Sequence, residues 1–113
     1  MIRIYHNNRC SKSRQTLELL QNNSTEIEVV EYLKHTPTVE ELKDVLKKLG
    51  MKPEDLIRKG EPVYKEQFAG KDLSDDQWLQ AMIKNPVLIE RPIVVKGDKA
   101  VIGRPPENVL GLL

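Results

Sequence analysis

The sequence is poor in the residues on which several classes of protein depend. Its one cysteine excludes an intramolecular disulfide, and its two histidines, His6 and His35, lie far apart and have no metal-ligand spacing. Only 4% of the residues are aromatic, and no hydrophobic run approaches the length of a membrane span. The first residues lack the apolar stretch of a secretory signal. We therefore expect a protein of the reducing cytoplasm without a resident metal.

Neither sign of charge is in excess. The chain carries 18 basic and 17 acidic residues, whereas nucleic-acid-binding domains usually have a strong basic excess. We therefore expect neither a nucleic-acid partner nor a membrane partner. The length of 113 residues, with 39% hydrophobic and 31% charged residues, is typical of one soluble domain. We expect a single domain over residues 1–113 that is monomeric.

The first third of the chain has the pattern of a β-α-β unit. Alternating apolar residues over residues 1–5 predict a strand, a polar loop follows, and residues 11 to about 22 fit a helix. Residues 27–33 predict a second strand, which a helical crossover would place parallel to the first. The expected buried stripe of the helix, at helical spacing, consists of Ser13, Thr16, Leu17 and Leu20.

Two capping boxes predict helices in the middle of the chain. Thr38 and Glu41 form the first, at the start of a helix that Gly50 should end. Ser74 and Gln77 form the second, at the start of a helix through about residue 84. The less regular stretch between them predicts short helices near its prolines. The middle of the chain is therefore expected to be a helical insertion.

The last third of the chain predicts a hairpin and a short helix. Residues 93–95 and 99–102 have the composition of strands, joined by a three-residue loop that contains Gly97. Two consecutive prolines can open the last helix. Its apolar residues are Val109, Leu110 and Leu113. The predicted fold class is α/β: a four-stranded mixed sheet with flanking helices and a helical insertion between the second and third strands.

Cys10 stands between a strand-ending loop and the predicted start of a helix. Free backbone N–H groups and the helix dipole favour an anion at such a position. Arg9, Lys12 and Arg14 add positive charge nearby, and each of these effects favours the thiolate over the thiol. The competing interpretation is a buried structural cysteine, because free thiols are often buried.

Two templates of cysteine chemistry are excluded by counting residues. A phosphatase-like Cys-x5-Arg loop would need arginine at position 16, where Thr16 stands. A dithiol Cys-x-x-Cys site would need cysteine at position 13, where Ser13 stands. Once oxidised, Cys10 must therefore be resolved by a thiol outside the chain, and glutathione is the natural partner.

Motifs spread over nearly the whole chain occur together in one order. They are His6-Asn7-Asn8-Arg9-Cys10-Ser11-Lys12-Ser13-Arg14-Gln15-Thr16-Leu17, Tyr32-Leu33 with Thr36-Pro37-Thr38, Leu56-Ile57-Arg58-Lys59, Asn85-Pro86 with Glu90-Arg91-Pro92-Ile93-Val94-Val95, and Gly103-Arg104-Pro105. Together they resemble the glutaredoxin-dependent arsenate reductase (ArsC) family, and most of all its short subgroup.

This resemblance implies a thioredoxin-like fold and a set of residue roles. Cys10 matches the family's nucleophile, and His6 matches a histidine close to it, a candidate for catalytic proton transfer. The residues that match the oxyanion-binding arginines are Arg58, Arg91 and Arg104. The residues that match those ordering the cysteine loop are Asn7, Ser13, Arg14 and Thr16. Pro92 matches a proline that follows a cis peptide bond.

The resemblance also implies a reaction. Cys10 would attack arsenate and expel water, glutathione would then reduce the arsenic, and glutaredoxin would remove glutathione and release arsenite. No bound cofactor is implied, since glutathione is a co-substrate. The sequence departs from the family's usual pattern at Asn8, where proline is common, and at Ser11-Lys12, which replaces a Gly-Thr-type pair. Neither departure removes a proposed catalytic group.

Two other functions are compatible with these residues. An Spx-like regulator that binds RNA polymerase shares the fold, but such regulators typically carry a Cys-x-x-Cys switch, which Ser13 removes here. A general glutathione-dependent monothiol oxidoreductase is the second alternative, because Cys10 and Ser13 have the spacing of a monothiol glutaredoxin site. Arsenate turnover separates the reductase from both.

Overall fold

One mixed sheet organises the two ends of the chain. In the computed structural model, which describes residues 2–23 and 26–112, its strands are β1 (Ile2–His6), β2 (Ile27–Glu31), β3 (Ile93–Lys96) and β4 (Lys99–Ile102). They lie in the order β2-β1-β3-β4, with β1 parallel to β2 and the other neighbours antiparallel. The predicted α/β class with a four-stranded mixed sheet is confirmed.

Within residues 2–23 and 26–112, four α-helices and three 3₁₀ helices accompany the sheet. The α-helices are α1 (Ser11–Asn23), α2 (Val39–Leu49), α3 (Pro62–Gln67) and α4 (Asp75–Lys84). The 3₁₀ helices are Pro53–Leu56, Pro86–Leu88 and Pro106–Leu112. Two residues of the predicted elements, Met1 and Leu113, lie outside the described residues. In the described part of the chain, no helix combines the length and apolarity needed to cross a membrane.

The chain divides into two compact units. The first comprises the chain up to His35 and from Arg91 onward, and it holds the sheet, α1 and the last 3₁₀ helix. The second, Thr36–Glu90, holds the remaining helices and corresponds to the predicted helical insertion.

Several strand boundaries differ from the sequence prediction, and the first strand ends at His6 rather than at residue 5. The second strand ends at Glu31 rather than at residue 33, because the backbone N–H groups of Lys34 and His35 both donate to the Glu31 carbonyl and close a turn. The hairpin loop has two residues instead of three, because Lys96 pairs with Lys99. Gly97 takes a φ of 62°, the left-handed conformation that two-residue hairpin loops favour.

The core of the first unit lies between the sheet and α1. Its fully buried centre includes Ile4 of β1, Leu20 of α1 and Val94 of β3. Each such side chain contributes roughly 1.5–3 kcal/mol when it leaves water. Of the predicted helix stripe, Ser13, Thr16 and Leu20 are buried, while Leu17 is half-buried and packs against the core. The last helix turns Val109 inward and leaves Leu110 exposed.

The second unit packs around Trp78. This side chain is 2% exposed and stacks on Tyr64, with ring centroids 6.3 Å apart, while Phe68 lies against it at 6.0 Å. An antiparallel bridge joins Ile57 to Ile89. This bridge holds together the two ends of the segment that contains α3 and α4.

Candidate active site

The loop between β1 and α1 places Cys10 at the amino end of the helix. The backbone N–H of Cys10 donates to the Asn7 carbonyl at 3.0 Å, and the Cys10 carbonyl accepts from the Arg14 N–H at 3.0 Å as the helix begins. Cys10 is half-buried, unlike the enclosed structural cysteine that was the competing interpretation. The unpaired N–H groups of a helix amino end stabilise negative charge.

A buried hydroxyl joins the loop to the end of β1. Ser13 Oγ accepts a hydrogen bond from the Asn7 backbone N–H at 3.1 Å and lies 2.6 Å from Nδ1 of His6. Ser13 is fully buried and His6 is 5% exposed, so both groups depend on this contact for their hydrogen bonds. Ser13 Oγ therefore links the Asn7 backbone to the His6 imidazole through a single buried hydroxyl.

Further hydrogen bonds define the path of the loop. Asn7 Oδ1 accepts from the Arg9 backbone N–H at 3.0 Å, which closes a turn around Asn8. The Arg14 guanidinium donates to the Asn8 carbonyl at 3.0 Å. Backbone groups of the two residues before Cys10 are therefore tied to side chains of the loop and of α1.

His6 is neutral near pH 7. Burial lowers the pKa of its imidazole below the usual value of 6.5, the carboxylate of Glu31 opposes this change, and the positive charge of Arg14 reinforces it. The neutral ring is hydrogen-bonded to Ser13 through Nδ1, which leaves Nε2 as its second polar atom.

Thr16 links α1 to the segment that directly follows β4. Its hydroxyl donates to the Gly103 carbonyl at 2.9 Å and also lies 2.8 Å from the Lys12 carbonyl. Gly103 in turn donates its N–H to the Pro92 carbonyl at 2.8 Å. Three segments distant in sequence therefore meet beside the cysteine helix.

Two predicted arginines adjoin this junction. Arg91 precedes Pro92 across a cis peptide bond, as the resemblance implies, and Arg104 follows Gly103 and precedes a second cis bond, to Pro105. Arg91 is half-buried and Arg104 is exposed. The first unit therefore contains Cys10 together with both arginines. Arg91 is next to Pro92, whose carbonyl accepts from the Gly103 N–H, and Arg104 is next to Gly103, whose carbonyl accepts from Thr16 of α1.

The third predicted arginine, Arg58, belongs to the second unit. Its backbone N–H donates to the Leu88 carbonyl at 2.7 Å, next to the bridge at Ile57. Its guanidinium pairs with Glu61 and, at 3.9 Å, with Glu90. The Arg58 side chain is thus held between two carboxylates and is only 20% exposed.

One participant was missed by sequence reasoning about individual residues. Gly103 was noted only as part of a motif, yet a Cβ there would lie 2.7 Å from Cγ2 of Thr16 and 3.0 Å from Cγ of Pro92. Only a contact between residues far apart in the chain reveals this requirement. In the described part of the chain, no three His, Cys, Asp or Glu side chains are grouped to hold a metal ion.

Known proteins resemble this chain over its full length. Residues 5–112 match the model of the ArsC family. An uncharacterized protein of Escherichia coli strain K12, YfgD, is 52% identical over 114 residues, which cover 99% of this chain and 96% of that protein. An arsenate reductase of Haemophilus influenzae is 45% identical, with 97% of each chain covered.

A solved structure gives the same result. The arsenate reductase from Vibrio cholerae superposes with a TM-score of 0.94 at 48% identity, covering 99% of this chain and 97% of that one. The fold is accordingly the thioredoxin-like fold of these reductases. By sequence and by structure, the chain belongs to the ArsC family.

Proposed function

We propose that this protein reduces arsenate to arsenite, with Cys10 as nucleophile and with glutathione and glutaredoxin as electron donors. The observation that carries the proposal is the half-buried thiol at the amino end of α1, in the same unit as Arg91 and Arg104. The names of full-length relatives, arsenate reductase at 43–45% identity, support the same substrate.

The electrostatic problem of this reaction explains the need for arginines. Arsenate and a thiolate are both anions, and at 4 Å each pair of unit charges repels by about 4 kcal/mol at an effective dielectric constant of about 20. Guanidinium groups offset this repulsion, and their planar donors match the oxygens of a tetrahedral oxyanion. Arg91 and Arg104 carry this role in the first unit, and Arg58 is proposed as the third arginine.

The proposed reaction conserves atoms and electrons in three steps. The thiolate of Cys10 attacks arsenic, an As–S bond forms, and an arsenate hydroxyl that takes a proton from solvent leaves as water, so arsenic remains As(V). The glutathione thiolate then attacks Cys10 Sγ, an S–S bond forms, and the As–S electron pair stays on arsenic, which becomes As(III). A glutaredoxin thiolate finally attacks the glutathione sulfur of the mixed disulfide and frees Cys10.

The test is arsenate-dependent oxidation of NADPH in the presence of glutathione, glutaredoxin and glutathione reductase, which recycles the glutathione. The intact protein should turn over arsenate, and Cys10→Ser should abolish turnover because a hydroxyl is a far weaker nucleophile near pH 7. Thermal unfolding of both proteins provides the control for folding. Equal activity in Cys10→Ser, or disulfide reduction without any arsenate turnover, would refute the proposal.

A further inference from the structure

A cavity of about 250 Å³ lies at the carboxyl end of the parallel strands β1 and β2. One wall is the loop of residues 6–9, which leads directly to Cys10, and the other is formed by Glu31, Leu33 and Lys34. The carboxyl ends of parallel strands are the usual place of ligand binding in α/β sheets. This cavity and the proposed nucleophile therefore share one loop.

Charges of both signs line this cavity. Arg9 and Lys34 supply positive charge, and Glu31 supplies a carboxylate. Lys34 Nζ and Glu31 Oε1 are 3.8 Å apart, and their side chains are 68% and 36% exposed. An exposed pair at this distance is weak, so a ligand can replace it with two shorter contacts.

An imidazole also lines the cavity. His6 is only 5% exposed, and its Nδ1 is engaged by Ser13. The other ring nitrogen, Nε2, is the polar atom that this side chain would offer to a molecule bound in the cavity.

We propose that this cavity binds the γ-glutamyl end of glutathione, an inference that rests on the proposed thiol co-substrate and gives it a location. That end carries an α-ammonium and an α-carboxylate, which complement Glu31 and Lys34. The glycyl end carries only a carboxylate and leaves Glu31 unused. The cavity is smaller than the roughly 300–1,000 Å³ of sites for drug-sized ligands, so it fits one end of a tripeptide.

This location serves the second step of the reaction. With the γ-glutamyl end held beside residues 6–9, the sulfur of the central residue of the tripeptide is tethered close to Cys10. Its thiolate then attacks Cys10 Sγ, the new S–S bond replaces the As–S bond, and the electron pair passes to arsenic. Tethering turns a collision between two molecules into a step within one complex.

The inference is tested by two substitutions in the cavity, Lys34→Ala and Glu31→Gln. Each should raise the KM for glutathione in the arsenate assay about five- to tenfold, as expected for the loss of one contact to a charged group near the surface. Each should also slow, by a similar factor, the reaction of Cys10 with glutathione disulfide in the absence of arsenate. The product, a mixed disulfide of Cys10 and glutathione, is followed by intact mass. Alkylation of Cys10 by the neutral reagent iodoacetamide should change less than about twofold.

Matched controls remove the same charges elsewhere. Lys99→Ala on β4 and Glu18→Gln on α1 are exposed and lie outside the cavity lining, so both should behave like the parent protein. Thiol analogues provide a second arm. γ-Glutamylcysteine keeps the zwitterionic end and should match glutathione, whereas cysteinylglycine lacks it and should react several-fold more slowly.

The measurements separate this inference from the proposed function. Normal arsenate turnover with unchanged KM in both cavity variants, or equal rates for cysteinylglycine and glutathione, would overturn the cavity assignment alone. No arsenate turnover, combined with slower mixed-disulfide formation in the two variants, would refute the reductase and still support the glutathione site.

Discussion

At the scale of single residues, Gly103 has the strictest steric requirement. An added Cβ would stand 2.7 Å from Cγ2 and 2.9 Å from Oγ1 of Thr16. Both atoms belong to a buried side chain that holds α1 against the end of β4, so neither can move without loss of the hydrogen bond to the Gly103 carbonyl.

We expect Gly103→Ala to lower the free energy of unfolding by about 1–3 kcal/mol, the usual cost of overpacking. It should also lower arsenate turnover, because Arg104 adjoins the displaced backbone. Urea unfolding and the coupled assay measure the two effects. Gly111→Ala is the control, since a Cβ there meets nothing within 4 Å.

A second substitution checks the assigned cause. Thr16→Ser removes Cγ2, the closest obstructing atom, and keeps the hydroxyl that donates to Gly103. Gly103→Ala should therefore cost less in a Thr16→Ser background than in the parent protein. Additive effects of the two substitutions would count against a clash at Cγ2.

Cys10 could be singled out from the sequence, but the hydrogen-bond partners of the residues around it could not be predicted. Charge and position identified Cys10 as a nucleophile candidate, since both are local properties of the sequence. The buried contact between His6 and Ser13 depends on the angle at which α1 leaves β1. No local pattern encodes that angle.

At the scale of elements, helix caps were the most dependable signals. Ser74 Oγ accepts from the Gln77 backbone N–H at 3.2 Å, and Gln77 Oε1 accepts from the Ser74 N–H at 2.8 Å, so the predicted capping box is complete. Thr38 Oγ1 likewise accepts from the Glu41 N–H at 3.1 Å, but the Glu41 carboxylate meets the Thr38 hydroxyl at 3.5 Å. The box of Thr38 and Glu41 is thus only half of a reciprocal pair.

Ser74→Ala should reduce the free energy of unfolding by about 1 kcal/mol, because it leaves a backbone donor of the first turn of α4 without its partner. Chemical denaturation followed by circular dichroism measures the loss. Gln80→Ala, at an exposed interior position of α4, should have little effect or stabilise slightly, since alanine is the better helix former. Equal losses in the two variants would contradict the assigned cap.

Element ends were harder to predict than elements. The second strand was expected to continue through Tyr32, a good β-former that the structure buries in a turn instead. The turn forms because two backbone N–H groups converge on one carbonyl, which no side-chain pattern specifies. The 3₁₀ helix Pro86–Leu88 was also not predicted, because three residues are too few to show a periodic pattern.

At the scale of the whole molecule, His6 links stability to pH. Its pKa is lowered in the folded protein, so between that value and 6.5 the unfolded chain binds the proton more tightly. Stability from this group is complete above about pH 6.5 and is lost as the pH falls below it.

Urea unfolding of the parent protein and of His6→Asn between pH 5.5 and 7.5 tests this linkage. Asparagine keeps a polar group near the position of Nδ1 but does not titrate. The parent should lose more stability than the variant on acidification, and the difference should vanish toward the upper end of the range. Parallel curves would show that burial of His6 contributes no pH dependence.

The family and sheet class follow from the order of motifs along the chain, whereas the junction at Gly103 requires the folded chain. Tyr5 of β1 pairs with Ile93 of β3, so nearly the whole polypeptide separates the two strands at the centre of the sheet. During translation, the segment bearing the thiol emerges first and has no β3 or Pro92 to contact until the last fifth of the chain leaves the ribosome. A nascent chain stalled before Arg91 therefore displays the cysteine loop without Arg91 and Arg104, two of the three arginines proposed to bind an oxyanion.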